Sequence, residues 1–583
     1  MAEDGHEMTI PHFCNNIDDR MSAGASDVRS PGSSDPGKLV REISGLKASG
    51  IFLLLTVVFT WPQAIHWLSV PDFMDTYFSM WRLSWIAHQL TIDPRHLFDA
   101  NIFYPLTHTL NYSDAVLLQG LAGAPLQWAG VPAVAVYNLL VFTGFVASGL
   151  GAFLLVRDLT RSSAAGLLAG TVFTFAPFRF DHYVHLELLW AQFVPLTLWM
   201  VHRTIRSGRW RDGLWTGLFV ALQGLSCVYY TVFMATILLV AGPILISTAE
   251  RSVRWRAVRA LLAGAVLAAV ILAPYARSYQ AAREEVGERG RLVTMLGFSV
   301  GPKHYLATPN NNILYGGATK SISVHEKRLF MGFLVMALVV VGLWPPINRV
   351  RVAYALALII AIDVSFAQRG ILLGWLYDNI LIYRGLRVPA RFGQIALLGA
   401  GVLAGFGLVR VIGWIREHRA AWVRPALTAI AAVVALEYLM FPQALVPIAT
   451  APNETALWLR TQPPGPIINL PVSSPEQLAA ERPIEPLYQY ESIFHWRAMF
   501  NGYSGNAPSQ YVLAKPTAAA FPTDTALATL RQFGIGYAIV HERYYGRAAY
   551  REVVAAAGAR GDLIAYGPFA DGEYETRAYR ILK

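Results

Sequence analysis

The chain has 583 residues, of which 54% are hydrophobic and only 15% charged, and it carries a formal net charge of +10. A soluble domain is about 25% charged, so the composition excludes an ordinary soluble protein and indicates an integral membrane one. The positive balance does not indicate nucleic acid, because the arginines fall in short clusters between apolar runs, as in topology-setting loops.

Residues 1–46 are polar and rich in Gly, Ser, Asp and Pro. They cannot bury enough apolar area to fold alone, so a disordered cytoplasmic tail is expected there. No charged-then-apolar stretch opens the chain, and a cleavable signal peptide is not expected. Cys14 and Cys227 are the two cysteines, one in the tail and one in an apolar run, which excludes a disulfide framework.

About eleven apolar segments follow, each near the length a helix needs to cross about 30 Å of hydrocarbon. They lie near 48–68, 132–156, 163–178, 187–203, 212–228, 230–248, 258–276, 329–346, 352–367, 393–412 and 425–442. The fifth and sixth form one run, split at "SCVYY". The expected fold is an α-helical polytopic membrane protein over 47–445, with external loops at 69–131 and 277–328. The short loops "RDLTR", "RTIRSGRWR", "RSVRWRAVR", "NRVR" and "REHRAAWVR" are basic and share one parity, which makes their side cytoplasmic and places 69–131, 277–328 and 368–392 outside.

From about 446 to 583 the character changes. "GPIINLPV" and "GIGYAIVHE" read as buried strands, and "ETALWLRTQ", "DTALATLRQF" and "YREVVAAAGAR" as amphipathic helices. The alternation predicts a C-terminal α/β extracytoplasmic domain.

Chemistry-bearing residues concentrate in three external places. In "VPDFMDTYFSMWRLSWIAHQL", helical spacing puts Asp72, Asp75, Ser79 and Arg82 on one stripe, and Tyr77, Trp81, Ser84 and His88 on another. The stripe reads either as a solvated interfacial face or as acids lining a polar cavity; the loop's length and its "NIFYP" and "NYSD" motifs favour the cavity. Asp114 in "NYSD" reads either as a helix N-cap or as a group that orients an acceptor or joins a metal site. In "FRFDHYVHLE", the spacing of Asp181, His182 and His185 suits a common metal or charge-relay point on one helical turn, and equally suits residues capping a span. In "YRGLRVPARF", Arg384, Arg387 and Arg391 sit against the positive-inside trend, as phosphate ligands or as side chains snorkelling to headgroups. Lys303 and His304 in "GPKHYLATPNNN" are further candidates. No P-loop or nucleotide-sugar motif with a fold around it is present.

The order "DTYFSMW", "DPRHLFDANIFYP", "NYSD", "FRFDHYVHLELLWAQFVPLTLWMVHR", "RGLRVPARF" and "FHWRAMFNGYSG" resembles the bacterial membrane proteins related to GT-C glycosyltransferases. That class includes protein mannosyltransferases, aminoarabinose transferases and YfhO-like proteins. The richness in Ala, Gly and Arg with little Lys agrees with a bacterial source of high GC content. The resemblance implies an enzyme of the bacterial inner membrane, a hexosyl- or pentosyltransferase. It would move a sugar from a polyprenyl-phosphate donor to a glycan, lipid or protein acceptor at the outer face. It implies Asp75 as general base or metal ligand, with Asp72 as its substitute. His182, His185, Arg387, Arg391 and Lys303 are the expected substrate contacts. A divalent ion, Mg or Mn, would be held by Asp75, Asp114 and His182. The chemistry asks for such a base independently, since a sugar hydroxyl is a poor nucleophile unless a nearby carboxylate accepts its proton. The rival expectation is a non-catalytic membrane protein or a lipid-linked-sugar transporter. Transporters place ionisable residues inside spans and show internal duplication. Here the apolar segments hold few charges, Asp363 and Glu437 being the main ones, and no half-chain repeat stands out.

Overall fold

The computed structural model describes residues 42–286, 295–474, 477 and 482–582. The expected tail, up to residue 41, and part of the expected loop 277–328 lie outside the described residues.

In chain order the helices are α1 (Gly45–Phe59), α2 (Met74–Ile92), α3 (Leu117–Trp128), α4 (Ala133–Thr160), α5 (Ser163–Phe175), α6 (Phe193–Ser207) and α7 (Trp210–Ser226). They continue with α8 (Val228–Ile246), α9 (Arg251–Val286), α10 (Phe333–Leu343), α11 (Arg349–Ser365), α12 (Gly393–Arg419) and α13 (Val423–Tyr438). All but α2 and α3 overlie the apolar segments read from the sequence. By length and composition α4, α8, α9 and the stretch Pro389–Tyr438 suffice to cross a membrane, and α1 and α10 are shorter apolar helices. The chain is a membrane protein. The break between α7 and α8 is one residue, Cys227, with extended backbone at φ −155° and ψ 110°.

Helices meet here through small residues. A Cβ on Gly213 would stand 2.0 Å from the Ala260 carbonyl oxygen, and one on Gly217 would stand 2.0 Å from that of Gly264. α7 and α9 therefore touch backbone to backbone, the packing that holds helices together where lipid offers no hydrophobic drive. The two acids inside apolar segments cap helix starts. The Glu437 carboxylate accepts from the amides of Phe333 (2.9 Å) and Leu334 (3.4 Å) and from the Tyr315 hydroxyl (3.2 Å). Asp363 accepts from the amides of Ile371 and Leu372, each at 2.9 Å, at the start of a short helix, Leu372–Asn379. Amide groups at a helix start have no partner within the helix, and these carboxylates supply one.

The C-terminal part holds α14 (Glu454–Thr461), α15 (Glu485–Ser492), α16 (Ser509–Ala519), α17 (Asp524–Gln532) and α18 (Arg547–Gly558). Strand β1 (Ser69–Pro71) pairs antiparallel with β2 (Leu445–Pro447), joining the first loop to the end of α13. A four-stranded sheet of order β3-β4-β6-β5 follows, from β3 (Ile467–Leu470), β4 (Tyr537–His541), β5 (Leu563–Asp571) and β6 (Tyr574–Ile581). β3 and β4 run parallel with Ile467 opposite Tyr537, and both are buried throughout, as continuous apolar runs require. This layer does not keep its core to itself. One buried cluster takes in Phe78, Trp81, Ile102, Phe103 and Tyr112 of the first loop together with Leu470, Met499, Ile539 and Tyr579. Backbone bonds stitch the two parts: Met499 N–H to Asn101 O (2.9 Å), Tyr104 N–H to Met499 O (2.9 Å) and Phe103 N–H to Asn501 O (3.2 Å).

A carboxylate and histidine cluster as the candidate active site

The helix in the first loop begins at Met74, so Asp75 stands in its first turn and Asp72 precedes it, exposed. The expected stripe therefore holds for Asp75, Ser79 and Arg82 but not for Asp72. Arg82 is buried. It donates to Ser79 Oγ (2.9 Å), to Glu187 Oε2 (3.1 Å) and to the Asp114 carbonyl. It thus ties α2 to both other polar motifs. Asp75 is partly buried, with Oδ1 accepting from the Tyr503 hydroxyl at 3.0 Å and Oδ2 lying 3.5 Å from His185 Nε2. Tyr503 belongs to the C-terminal part, so a residue 428 positions away closes on the candidate base.

"FRFDHYVHLE" does not form one helical turn. Pro177–Asp181 is a short helix that ends at Asp181, and the next begins at Leu186. The break sends Asp181 away from the histidines, to Arg328 Nη1 at 2.6 Å. It turns His182 and His185 toward each other instead, with rings 5.8 Å apart. The third member is Glu326, with Oε2 3.4 Å from His182 Nδ1. His182, His185 and Glu326 offer one ligand atom each within 4.8 Å of one another. Neither ring nitrogen of His182, nor Nδ1 of His185, has a hydrogen-bond partner, although all are buried. Burial, only partly offset by Glu326, pushes the His182 imidazole well below its ordinary range, so it is neutral at pH 7 with a lone pair free for a ligand.

Arg391 does not face an open phosphate site. It is buried and grips Glu326 with two bonds, Nη2 to Oε1 (2.6 Å) and Nε to Oε2 (3.2 Å), above the Tyr229 ring. Burial pushes the Glu326 carboxyl up, but the Arg391 guanidinium outweighs it and holds the group well below the usual carboxylate range. Arg387 is half-buried. Its amide donates to the Tyr229 hydroxyl (3.0 Å) and its guanidinium to the Gly505 carbonyl (3.0 Å), anchoring the loop that carries Tyr503. Asp114 is buried beside Cys227, and its Oδ1 accepts from the Val228 amide (2.9 Å). Burial pushes its carboxyl up to about 6. It serves as the cap of α8, not of α3, and it is not among the three residues whose ligand atoms meet. Lys303 is exposed and outside this cluster.

The arrangement thus brings together Asp75, His185 and His182, adds Glu326 and Tyr503, and spends Arg391 on holding Glu326. Glu326 and Tyr503 escaped the sequence reading. Glu326 lies in "SVHEKRLF", where nothing in the spacing links it to His182, 144 positions earlier. Tyr503 lies in the quoted motif "FHWRAMFNGYSG", which was the available signal.

No family model and no curated protein matches the chain. Among solved structures it is similar to the archaeal oligosaccharyltransferase AglB from Archaeoglobus fulgidus, in complex with an inhibitory peptide and a dolichol-phosphate. That match has 14% identity and a TM-score of 0.49, over 91% of this chain and 74% of that one. It is also similar to the arabinofuranosyltransferase AftD from Mycobacteria, at 14% identity and a TM-score of 0.59, over 92% of this chain. The chain spans only 41% of AftD's length. At that identity the AftD match shows a shared fold.

Proposed function

We propose that the protein is a membrane glycosyltransferase of the GT-C kind. It takes a sugar from a polyprenyl-phosphate donor and passes it to a hydroxyl of an envelope glycan, lipid or protein at the outer face of the bacterial inner membrane. The observation that carries this reading is the position of Asp75. It is held by Tyr503 and His185 next to a buried pair of imidazoles and a carboxylate with unpartnered nitrogens.

In this reading the Asp75 carboxylate accepts the proton of the acceptor hydroxyl as its oxygen bonds to the anomeric carbon. The bond from that carbon to the phosphate oxygen breaks, and the electron pair leaves with the polyprenyl phosphate. Tyr503 and His185 fix the rotamer of Asp75, so the proton acceptor needs no reorientation. His182, His185 and Glu326 would hold a divalent cation, whose charge would offset that on the leaving phosphate. Two imidazoles and one carboxylate suit Mn or another transition metal better than Mg, which prefers oxygen ligands. Asp114 is better placed as a helix cap than as a metal ligand, because the Val228 amide already occupies one of its oxygens.

The test is release of polyprenyl phosphate by the purified protein across a panel of polyprenyl-phosphate sugars. Asp75→Asn is expected to abolish turnover with an unchanged melting curve, and full turnover in that variant would remove Asp75 as the base. Chelation is expected to stop turnover, with Mn restoring it better than Mg. Deletion of the gene, followed by analysis of envelope glycans, identifies the acceptor.

A further inference from the structure

Outside the cluster just described, three cations lie on three segments that backbone contacts join. Lys303 lies in the short helix Pro302–Leu306, Lys327 directly follows Glu326, and Arg369 ends the turn Ala367–Arg369. Backbone bonds hold these segments together: Leu329 N–H to His304 O (2.9 Å) and Val300 N–H to Ser365 O (3.3 Å). The hydroxyls of Tyr305 and Ser365 meet at 2.8 Å. Arg369 Nη1 stands 3.9 Å from where a Cβ on Gly301 would lie, against the chain that leads into Lys303.

Among the described residues no carboxylate forms an ion pair with any of the three. The nearby acid, Asp363, has both oxygens engaged by the Ile371 and Leu372 amides, which fixes the turn carrying Arg369. Lys327 is half-buried. Like charges held together by a rigid backbone and left unpaired leave room for an anion.

The surroundings indicate where that anion comes from. The segment that follows Arg369 turns its large apolar side chains outward. Ile371 is 90% exposed, Trp375 58%, Leu381 59% and Ile382 54%. In a membrane protein such a short helix, with aromatic and aliphatic groups facing out, lies in the interface with that face in the acyl region. Cations at the polar border of such a helix sit at the level of lipid phosphates.

We propose that Lys303, Lys327 and Arg369 form a binding site for the phosphate of a membrane lipid, docked at the interface beside the segment 371–382. The inference rests on the chain being a membrane protein and does not depend on the transfer reaction.

The test measures lipid binding to the purified protein in detergent by native mass spectrometry. The probes are phosphatidylglycerol, polyprenyl phosphate and, as the phosphate-free control, diacylglycerol. The Lys303→Gln, Lys327→Gln, Arg369→Gln triple variant is compared with an equally discharged control, Arg547→Gln, Arg551→Gln, Arg580→Gln. The triple variant is expected to bind a phosphate lipid about tenfold more weakly or worse, with diacylglycerol and the control variant unaffected. Loss confined to phosphatidylglycerol identifies the occupant as a bulk phospholipid, and loss confined to polyprenyl phosphate identifies it as the carrier. Unchanged binding of both phosphate lipids, or equal loss in the control, overturns the site. Should the triple variant fail to fold, the exposed single change Lys303→Gln, expected to weaken the same lipid severalfold, decides the matter. Because binding is read without turnover, a catalytically inactive protein leaves the result interpretable.

Discussion

Replacing Glu326 by Gln is expected to destabilise the protein by about 3–5 kcal/mol, the range for breaking a buried ion pair from one side. The side chains of Arg391 and Glu326 are only 6% and 7% exposed, so water can replace neither bond. Glutamine keeps the shape but leaves a buried guanidinium with only the Tyr229 ring and the more distant charge of Glu187 as compensation. Those two place the expected loss toward the lower end, about 3 kcal/mol. Arg391→Met makes the opposite error, leaving Glu326 beside a neutral His182, and a similar loss is expected. The double variant removes both charges, and its loss should fall short of the sum by a coupling of about 2–3 kcal/mol. Denaturant titration in mild detergent, followed by tryptophan fluorescence, measures all four proteins. Single losses below about 1 kcal/mol that simply add would refute the buried pair and, with it, the anchoring of Glu326 against the histidines.

The C-terminal part carries two buried titrating groups of opposite sense. Burial pushes the His541 imidazole down to about 4, so the stability it allows is lost as pH falls from about 6.5 toward 4, where the unfolded chain binds the extra proton. Burial, with Asp571 adding, pushes the Glu491 carboxyl up to about 8, so its contribution is complete below about 4.5 and is lost as pH rises to 8. Melting curves should therefore show Glu491→Gln gaining on the natural protein from pH 5 to pH 8; a gain that is constant with pH would contradict the shift. Asp363→Ala removes the cap of the helix Leu372–Asn379 and should cost about 1 kcal/mol, together with weaker lipid binding; hydrogen exchange at Ile371 and Leu372 reports the first effect. Gly217→Leu forces α7 from α9, because its Cβ would meet the Gly264 carbonyl at 2.0 Å, and a loss of about 2 kcal/mol or more is expected in the same titration.

Much of the scaffold was legible because hydrophobic length is a strong signal. The segments read near 132–156 and 230–248 became α4 and α8, and the strands read in "GPIINLPV" and "GIGYAIVHE" became β3 and β4. The hairpin of β5 and β6 was missed because its burial is irregular and a bulge interrupts it between Tyr566 and Phe569. The site was only half legible. Spacing rules work within one element, so they brought out Asp75 and the histidines, but they assumed a helix at Asp181–His185 that the chain breaks at His182. Partners from distant segments leave no periodic trace, so nothing in the sequence links Glu326 to His182 or to Arg391, and the motif that holds Tyr503 gives no sign of its partner Asp75. The few charges in the apolar segments already spoke against the transport reading, and the main two, Asp363 and Glu437, cap helix starts.

The shared core of the first loop and the C-terminal layer has a consequence for synthesis. Asn101 bonds Met499 and Asp75 bonds Tyr503, so the loop is made some 400 residues before the strands and turns that cover it. Contacts of such separation form late and slowly. Until residues 499–503 emerge, Trp81, Phe103 and Tyr112 lack the C-terminal half of their cluster and the candidate base has no hydroxyl against it. A chain truncated before residue 499 would therefore keep its apolar helices yet leave Asp75 without the Tyr503 hydroxyl and Asn101 without Met499.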